Sequence, residues 1–187
     1  MPTPQTLSVT TRQEWRAWLE HHFSTEKKIW LVFPKKSSGK PRLLYNDAVE
    51  EALCFGWIDS TVRRLDETRT IQRFTPRNPK SSFSQANKER LTWLLKEGML
   101  HPTMIPVAKQ VLKEPFVFPP DIIKALQNDP VVWKNYQRFS PSYRRIRIAY
   151  IDGARNRPAE FKKRLNNFIT KTKENTLIGY GGIDKYY

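Results

Sequence analysis

Residues 51–90, EALCFGWIDSTVRRLDETRTIQRFTPRNPKSSFSQANKER, leave this chain few ways to fold. A helix that buries Val49, Ala52 and Leu53 must end at Gly56, a natural residue just past a helix C-terminus, and Asn46 is placed to cap its start. Two strands then fit 57–65 and 70–75, joined by a turn at Asp66-Glu67, which reads as an antiparallel hairpin. Ser84 is then positioned to cap another helix carrying Leu91, Leu94 and Leu95 and stopped by Gly98. Asp59, Arg73, Arg77 and Asn87 come from three different elements of this stretch, and packing alone does not call for them. Their concentration marks one specialised surface.

Upstream, Thr11 and Glu14 have the spacing of a capping box, and Trp15, Trp18, Leu19 and His22 form one helical stripe. Residues 28–33 are too apolar for an exposed edge and read as a buried strand. A basic loop spans 34–41, and Leu43-Leu44-Tyr45 suggests a short second strand. The order strand, helix, hairpin, helix predicts an α+β core over residues 10–100 with a small, mostly antiparallel sheet.

From residue 101 to 173 the chain reads as helices divided by prolines. Pro106 starts one with Val107, Val111 and Leu112 inward, and Asp129-Pro130 starts another with Val132, Trp133, Tyr136 and Phe139 on one face. Arg145-Ile146-Arg147-Ile148 alternates like a strand, but Tyr143, Ile146 and Tyr150 fit a helix, and the Ser140-Pro141 start favours the helix. Phe161, Leu165, Phe168 and Ile169 make an amphipathic helix that leaves Lys162, Lys163 and Arg164 outward. Residues 174–187 read as a flexible tail.

With 187 residues, 39% of them hydrophobic and six tryptophans, the chain can bury a real core and is not of the disordered class. No run approaches the roughly 18 to 20 apolar residues of a membrane helix, and the first residues show no secretory pattern. A single cysteine, Cys54, excludes an intrachain disulfide and suits a reducing compartment, so the expected location is cytoplasmic. The net charge is +15, and eleven Lys or Arg between Arg138 and Lys173 face only Asp152 and Glu160, giving that run +9. Such a surface draws phosphates, acidic partners or anionic lipid head groups without sequence specificity, or simply keeps the protein soluble.

Chemistry-bearing motifs are sparse. His21 and His22 are adjacent and diverge by about 100° on a helix, and His101 stands alone, so no metal ligand set is expected. Cys54 lies at the C-terminal end of its helix, where the dipole disfavours a thiolate, and reads as a packed structural thiol. Neither GxGxxG nor GxxxxGK[ST] occurs, so no nucleotide-cradling loop and no cofactor is expected. On the hairpin, Trp57, Asp59 and Thr61 share one face, and Ile71, Arg73 and Thr75 share one on the partner strand. A register opposing 59 and 73 would set a carboxylate beside a guanidinium, either as an anion-binding pocket or as a plain cross-strand ion pair. A one-residue slip would put Arg73 on the face of Ser60 instead. Asn87 joins the apolar stripe of its helix, where a buried amide needs partners. It is expected first to clasp the helix to the loop Pro76-Arg77-Asn78-Pro79, and second to contact a ligand.

The same residues carry a resemblance. ALCFGWIDS, a nearby Asp-Glu and RFTPRNPKSSFSQAN resemble the YdeI/OmpD-associated family, also labelled bacteriocin-protection proteins. EWRAWLEHHF, KKIWLVFPKKSSGKP, EGMLHP and PSYRRIRIAYIDGAR extend the resemblance over residues 11–165. The chain departs from the pattern at Phe83, at Thr103-Met104-Ile105 and at residues 156–160. The resemblance implies a soluble protein without an agreed enzymatic activity, a link to envelope stress, and a porin-related partner. Its motif positions are Trp57, Asp59, Arg73, Thr75, Arg77, Ser84 and Asn87.

Three functions compete at this level. The first is a stress or defence protein whose motif face binds a partner or a small anionic ligand. The second is a non-specific nucleic-acid binder using the basic C-terminal helices, although Phe161 and Phe168 lie on the apolar stripe rather than among the basic residues. The third is an enzyme with Asp59 as general base beside Arg73, for which nothing supplies a nucleophile or a metal. The expectation is binding, with no catalytic residue assigned.

Overall fold

The computed structural model describes residues 5–179, which form eight α-helices and one four-stranded sheet. Two compact units divide them. One takes the residues up to Ser82 together with Leu94–Lys109, and the other takes Phe83–Trp93 and the residues from Gln110 onward.

In the first unit, strand β1 (Thr6–Leu7) is followed by helix α1 (Arg12–His22), strand β2 (Ile29–Pro34), helix α2 (Tyr45–Cys54) and the hairpin β3 (Trp57–Arg64) and β4 (Arg69–Pro76). The sheet order is β1-β2-β4-β3; β1 runs parallel to β2 and the other pairs are antiparallel. The apolar run of β2 is explained by its place inside the sheet, opposite β4 from Ile29↔Phe74 to Pro34↔Arg69. Ile29, Leu31, Gln72 and Phe74 therefore share one face, and Trp30, Val32 and Ile71 cluster on the other.

Helices α1 and α2 cover the face of Phe74. The Thr11–Glu14 capping box forms, and Trp15 is fully buried, edge-on to Phe74 at 5.5 Å, with Nε1 donating to Ala48 O at 3.0 Å. Trp18 stacks on His22 and meets Trp57 edge-on. The expected strand at 43–45 does not form. Pro41 has no amide hydrogen to pair, and the segment is anchored instead by burying Leu43. α2 begins at Tyr45 with Leu44 at the cap position, so Asn46 lies inside the helix rather than capping it. Gly56, at φ +74°, turns the chain from α2 into β3.

Helix α3 (Gln85–Lys96) starts where Ser84 Oγ accepts from Asn87 N at 3.3 Å and ends at Gly98, φ +66°. A 3-10 turn (Pro102–Met104) leads into α4 (Ile105–Val111), which buries Ala108, while Val107 is exposed. Two turns of helix cannot bury a whole apolar face, and Met104 just before it supplies the buried contact.

Four further helices make up the rest of the second unit: α5 (Pro120–Gln127), α6 (Pro130–Arg138), α7 (Pro141–Asp152) and α8 (Pro158–Lys173). Each opens with proline at its start, where the missing amide costs nothing. Ile122, Leu126, Val132, Tyr136, Tyr143, Ile151 and Phe168 form its core, with Trp133, Phe161 and Leu165 packed against it. Residues 145–148 are helical, because Ser140 caps α7 by accepting from Tyr143 N. Asn135 Nδ2 donates to Thr172 O and Lys173 O and ties α6 to the end of α8. Of the tail, residues 180–187 lie outside the described residues.

Candidate functional site

The register of the hairpin decides which motif residues meet. Asp59 opposes Phe74 and Ile58 opposes Thr75, and a bulge follows between Asp59 and Val62. Asp59 therefore shares the face of Trp57, Gln72 and Phe74, while Arg73 opposes Trp30 of β2 on the other face. Arg73 Nε donates to Ser60 Oγ at 3.0 Å, as the slipped register requires. A general-base pair of Asp59 with Arg73 is thus absent, because the sheet separates the two.

Asp59 instead accepts from Gln72 Nε2 at 2.6 Å and from the Tyr45 hydroxyl at 2.9 Å. Both donors line an open cleft of about 440 Å³ on the helix-covered side of the sheet, together with Phe33, Lys35, Lys36, Arg42, Leu43 and Thr70. The basic loop turns tightly beside this cleft: Ser38 Oγ donates to Lys35 O, and Gly39 at φ +64° reverses the chain. Lys35, Lys36 and Arg42 thus stand at its mouth, and none forms an ion pair with a described residue. The cleft is lined by the buried Gln72 amide and the exposed Tyr45 hydroxyl, both bonded to Asp59, and by three cations. Such a cleft suits an anionic group on a hydrogen-bonding body.

The remaining motif positions do other work. Trp57 is buried, and its Nε1 donates to Phe23 O at 3.0 Å, which fixes α1 to the hairpin. Thr75 is half-buried opposite Ile58. Arg77 Nη2 donates to Ser81 O at 2.7 Å and to Ser82 O, closing the loop that leaves β4, and burial lowers its pKa from the ordinary arginine value. Ser84 and Asn87 belong to the second unit. Asn87 is buried, and its Oδ1 accepts from Arg90 Nη1 at 2.9 Å, a partner one turn on in its own helix rather than the loop at 76–79.

Sequence reasoning missed Tyr45, Gln72, Lys35, Lys36 and Arg42 as site residues. Gln72 carried a signal: two positions before Phe74 on the same strand, it puts an amide on the buried face. Tyr45 carried none, because its approach to Asp59 depends on where α2 begins.

A second polar cluster in this unit is structural. Glu50 and Glu51 are buried; Glu51 accepts from Arg12 Nε and from Arg16 Nη1 at 2.8 Å, and Glu50 accepts from Arg12 Nη1 at 2.8 Å. These bonds clamp α1 onto α2. Next to them Cys54 is buried, and desolvation, reinforced by the Glu51 charge, pushes its thiol up to about 12, so it stays protonated at neutral pH. His21 and His22 each turn Nδ1 onto the carbonyl one turn back, and the described residues contain no cluster of metal-ligating side chains.

The basic C-terminal run is less positive in space than along the chain. Arg145 pairs with Glu89, Arg155 with Asp121 and Asp152, Arg164 with Glu160, Lys171 with Glu174 and Lys173 with Asp129. Most of these acids lie outside the residues counted in the run. Arg164, expected to point outward, is half-buried against Tyr150, and Arg147 is buried. No helix among the described residues is long and apolar enough to cross a membrane.

The fold and the cleft define a small α+β protein built of a sheet-bearing unit and a helical unit. Its chain belongs to the family described as Domain of unknown function (DUF8412), whose model matches residues 7–106. A domain described as Bacteriocin-protection, YdeI or OmpD-Associated is present over residues 115–175. The latter match falls on the helical region, and the hairpin block on which the resemblance was chiefly read lies within the former. No curated protein and no solved structure matches the chain.

Proposed function

We propose that this is a binding protein that captures a small anionic ligand, or the acidic group of a partner, in the cleft lined by Lys35, Lys36, Arg42, Tyr45 and Gln72. The observation that carries this reading is the pairing of Gln72 and Tyr45, both held by Asp59, with three cations lining the same cleft. The YdeI/OmpD-associated domain over residues 115–175 supports a defence-related setting with an envelope- or porin-related partner; a stress role and a cytoplasmic location belong to the same proposal. The reading is binding rather than catalysis, because the groups lining the cleft are hydrogen-bonding and cationic recognition groups.

The test is a thermal-shift screen of phosphate, pyrophosphate, nucleoside phosphates, dicarboxylates and short oligonucleotides on the full chain. A native-state ligand raises the melting temperature. The expected result is a shift by small anions that is lost in Lys36→Glu/Arg42→Glu. Shifts that survive this double substitution would place the anion elsewhere. Exposed Arg138, Arg157, Lys162 and Lys163 support only weak, salt-sensitive contact with nucleic acid. Sequence-selective oligonucleotide binding that persists at high salt would overturn the small-ligand reading.

A further inference from the structure

Within the second unit, two cavities of about 320 and 310 Å³ flank one pair of side chains. Arg147, Tyr150 and Arg164 line both. The Arg164 guanidinium lies 3.8 Å from the centre of the Tyr150 ring, its Nη1 donates to Tyr150 O at 2.7 Å, and its Nε donates to Glu160 Oε1 at 2.8 Å. An aromatic face, a backbone carbonyl and a carboxylate thus hold this guanidinium in one orientation. Its Nη2 group makes no hydrogen bond with a described residue, so one donor edge of a fixed fork is left over. Ordinary surface arginines lose side-chain freedom when they bind an anion. This one has already lost it, which removes part of the cost of binding.

The surroundings narrow the ligand. Among the residues lining the two cavities, Arg147, Lys163 and Arg164 are cationic and only Glu160 is anionic. The wall of the first cavity is otherwise largely apolar, formed by Ala86, Ile146, Ala149 and Gly153. A bare inorganic ion would lose hydration there and gain nothing from that wall, whereas a neutral apolar molecule would leave the guanidinium edge unused. We infer that the α7–α8 groove is a binding site for a small amphipathic acid. Its carboxylate engages Arg164, and its apolar body lies along Ile146 and Ala149. The site is separate from the cleft of the first unit and stands or falls independently of it.

The experiment titrates the full chain with 3-phenylpropionate and its neutral and cationic isosteres, 3-phenylpropanol and 3-phenylpropylamine, by calorimetry and by protein NMR. The acid should bind about tenfold or more tightly than the alcohol, and the amine should not bind, since charge-assisted bonds to a guanidinium separate the three. Arg164→Gln should weaken the acid about tenfold and leave the alcohol unchanged, and Arg164→Lys, which keeps the charge without the fork, should fall between. Ala149→Phe should abolish both by filling the apolar wall, and Lys36→Glu in the first unit should change neither. Equal affinity for acid and alcohol, no acid binding at millimolar concentration, or acid binding indifferent to Arg164→Gln and Ala149→Phe would each overturn the inference. If a variant fails to fold, the comparison of the three ligands on the unaltered chain still decides it.

Discussion

Asp59 allows charge to be separated from hydrogen bonding at the candidate cleft. Its carboxylate accepts from Gln72 Nε2 at 2.6 Å and from Tyr45 OH at 2.9 Å, and Gln72 is only 7% exposed while Tyr45 is 42% exposed. Asp59→Asn keeps an oxygen to accept these donors but removes a negative charge from beneath the basic rim. For charges on the order of 8 Å apart at an effective dielectric of about 40–80, that charge opposes an anion by about 0.5–1 kcal/mol per ligand charge. Phosphate affinity, measured by calorimetry, should therefore rise about three- to tenfold, because phosphate carries more than one charge near neutral pH. Asp59→Ala removes the acceptor as well. It strands the buried Gln72 amide while Tyr45 can turn to water, so unfolding by denaturant should show a loss of about 1–2 kcal/mol. Weaker phosphate binding in Asp59→Asn would mean that the carboxylate helps hold the ligand, and that the cleft selects a cation or a donor group. Unchanged stability in Asp59→Ala would mean that Asp59 does not set the floor.

Glu51→Ala removes two bonds to arginines from a buried site, but Arg12 keeps Glu50 and Arg16 keeps Met99 O at 3.1 Å, so the expected cost in denaturant unfolding is about 3 kcal/mol rather than the full cost of an isolated buried charge. Asn87→Ala should cost about 1–2 kcal/mol, because it takes the buried acceptor from Arg90. Arg73→Ala, which loses one bond to an exposed serine, should cost under about 0.5 kcal/mol; the same assay checks both, and equal losses would contradict the placements given above. Acid should destabilise the helical unit. The hydrogen bond from Lys173 lowers the Asp129 pKa and that from Arg155 lowers the Asp121 pKa, so their stabilisation is complete above the unfolded carboxyl value near 4 and is lost as pH falls through the lower folded values. Melting followed downward from about pH 5 should show this decline, and Asp129→Asn, which retains the cap but not the charge, should flatten it.

Much of the architecture was legible because local signals were strong. The capping box at Thr11, the glycines at 56 and 98 and the prolines opening α6 and α7 each force a backbone event that neighbouring residues cannot override. The hairpin was legible from two strand-length segments joined by the turn at Asp66-Glu67. Short elements escaped notice: β1 has two residues and exists only because β2 offers an edge, and α5 is hidden behind Phe116-Val117-Phe118-Pro119, which punctuates the chain without announcing a helix.

The candidate site was less legible, and the reason is geometric. The sequence by itself determined that Asp59 and Arg73 lie on facing strands and that a basic loop precedes α2. Only the bulge and the register of β3 against β4 decided that Asp59 faces Gln72 while Arg73 turns to the opposite side. A one-residue shift moves every side chain to the other face, and the strand residues themselves record no preference strong enough to fix it. Net charge behaved in the same way. Composition determined the +15, but ion pairs to Glu89, Asp121 and Asp129, all outside the basic run, decided how much of that charge is left uncompensated. Coulomb interactions depend on separation in space, and that separation is set only when the helices pack.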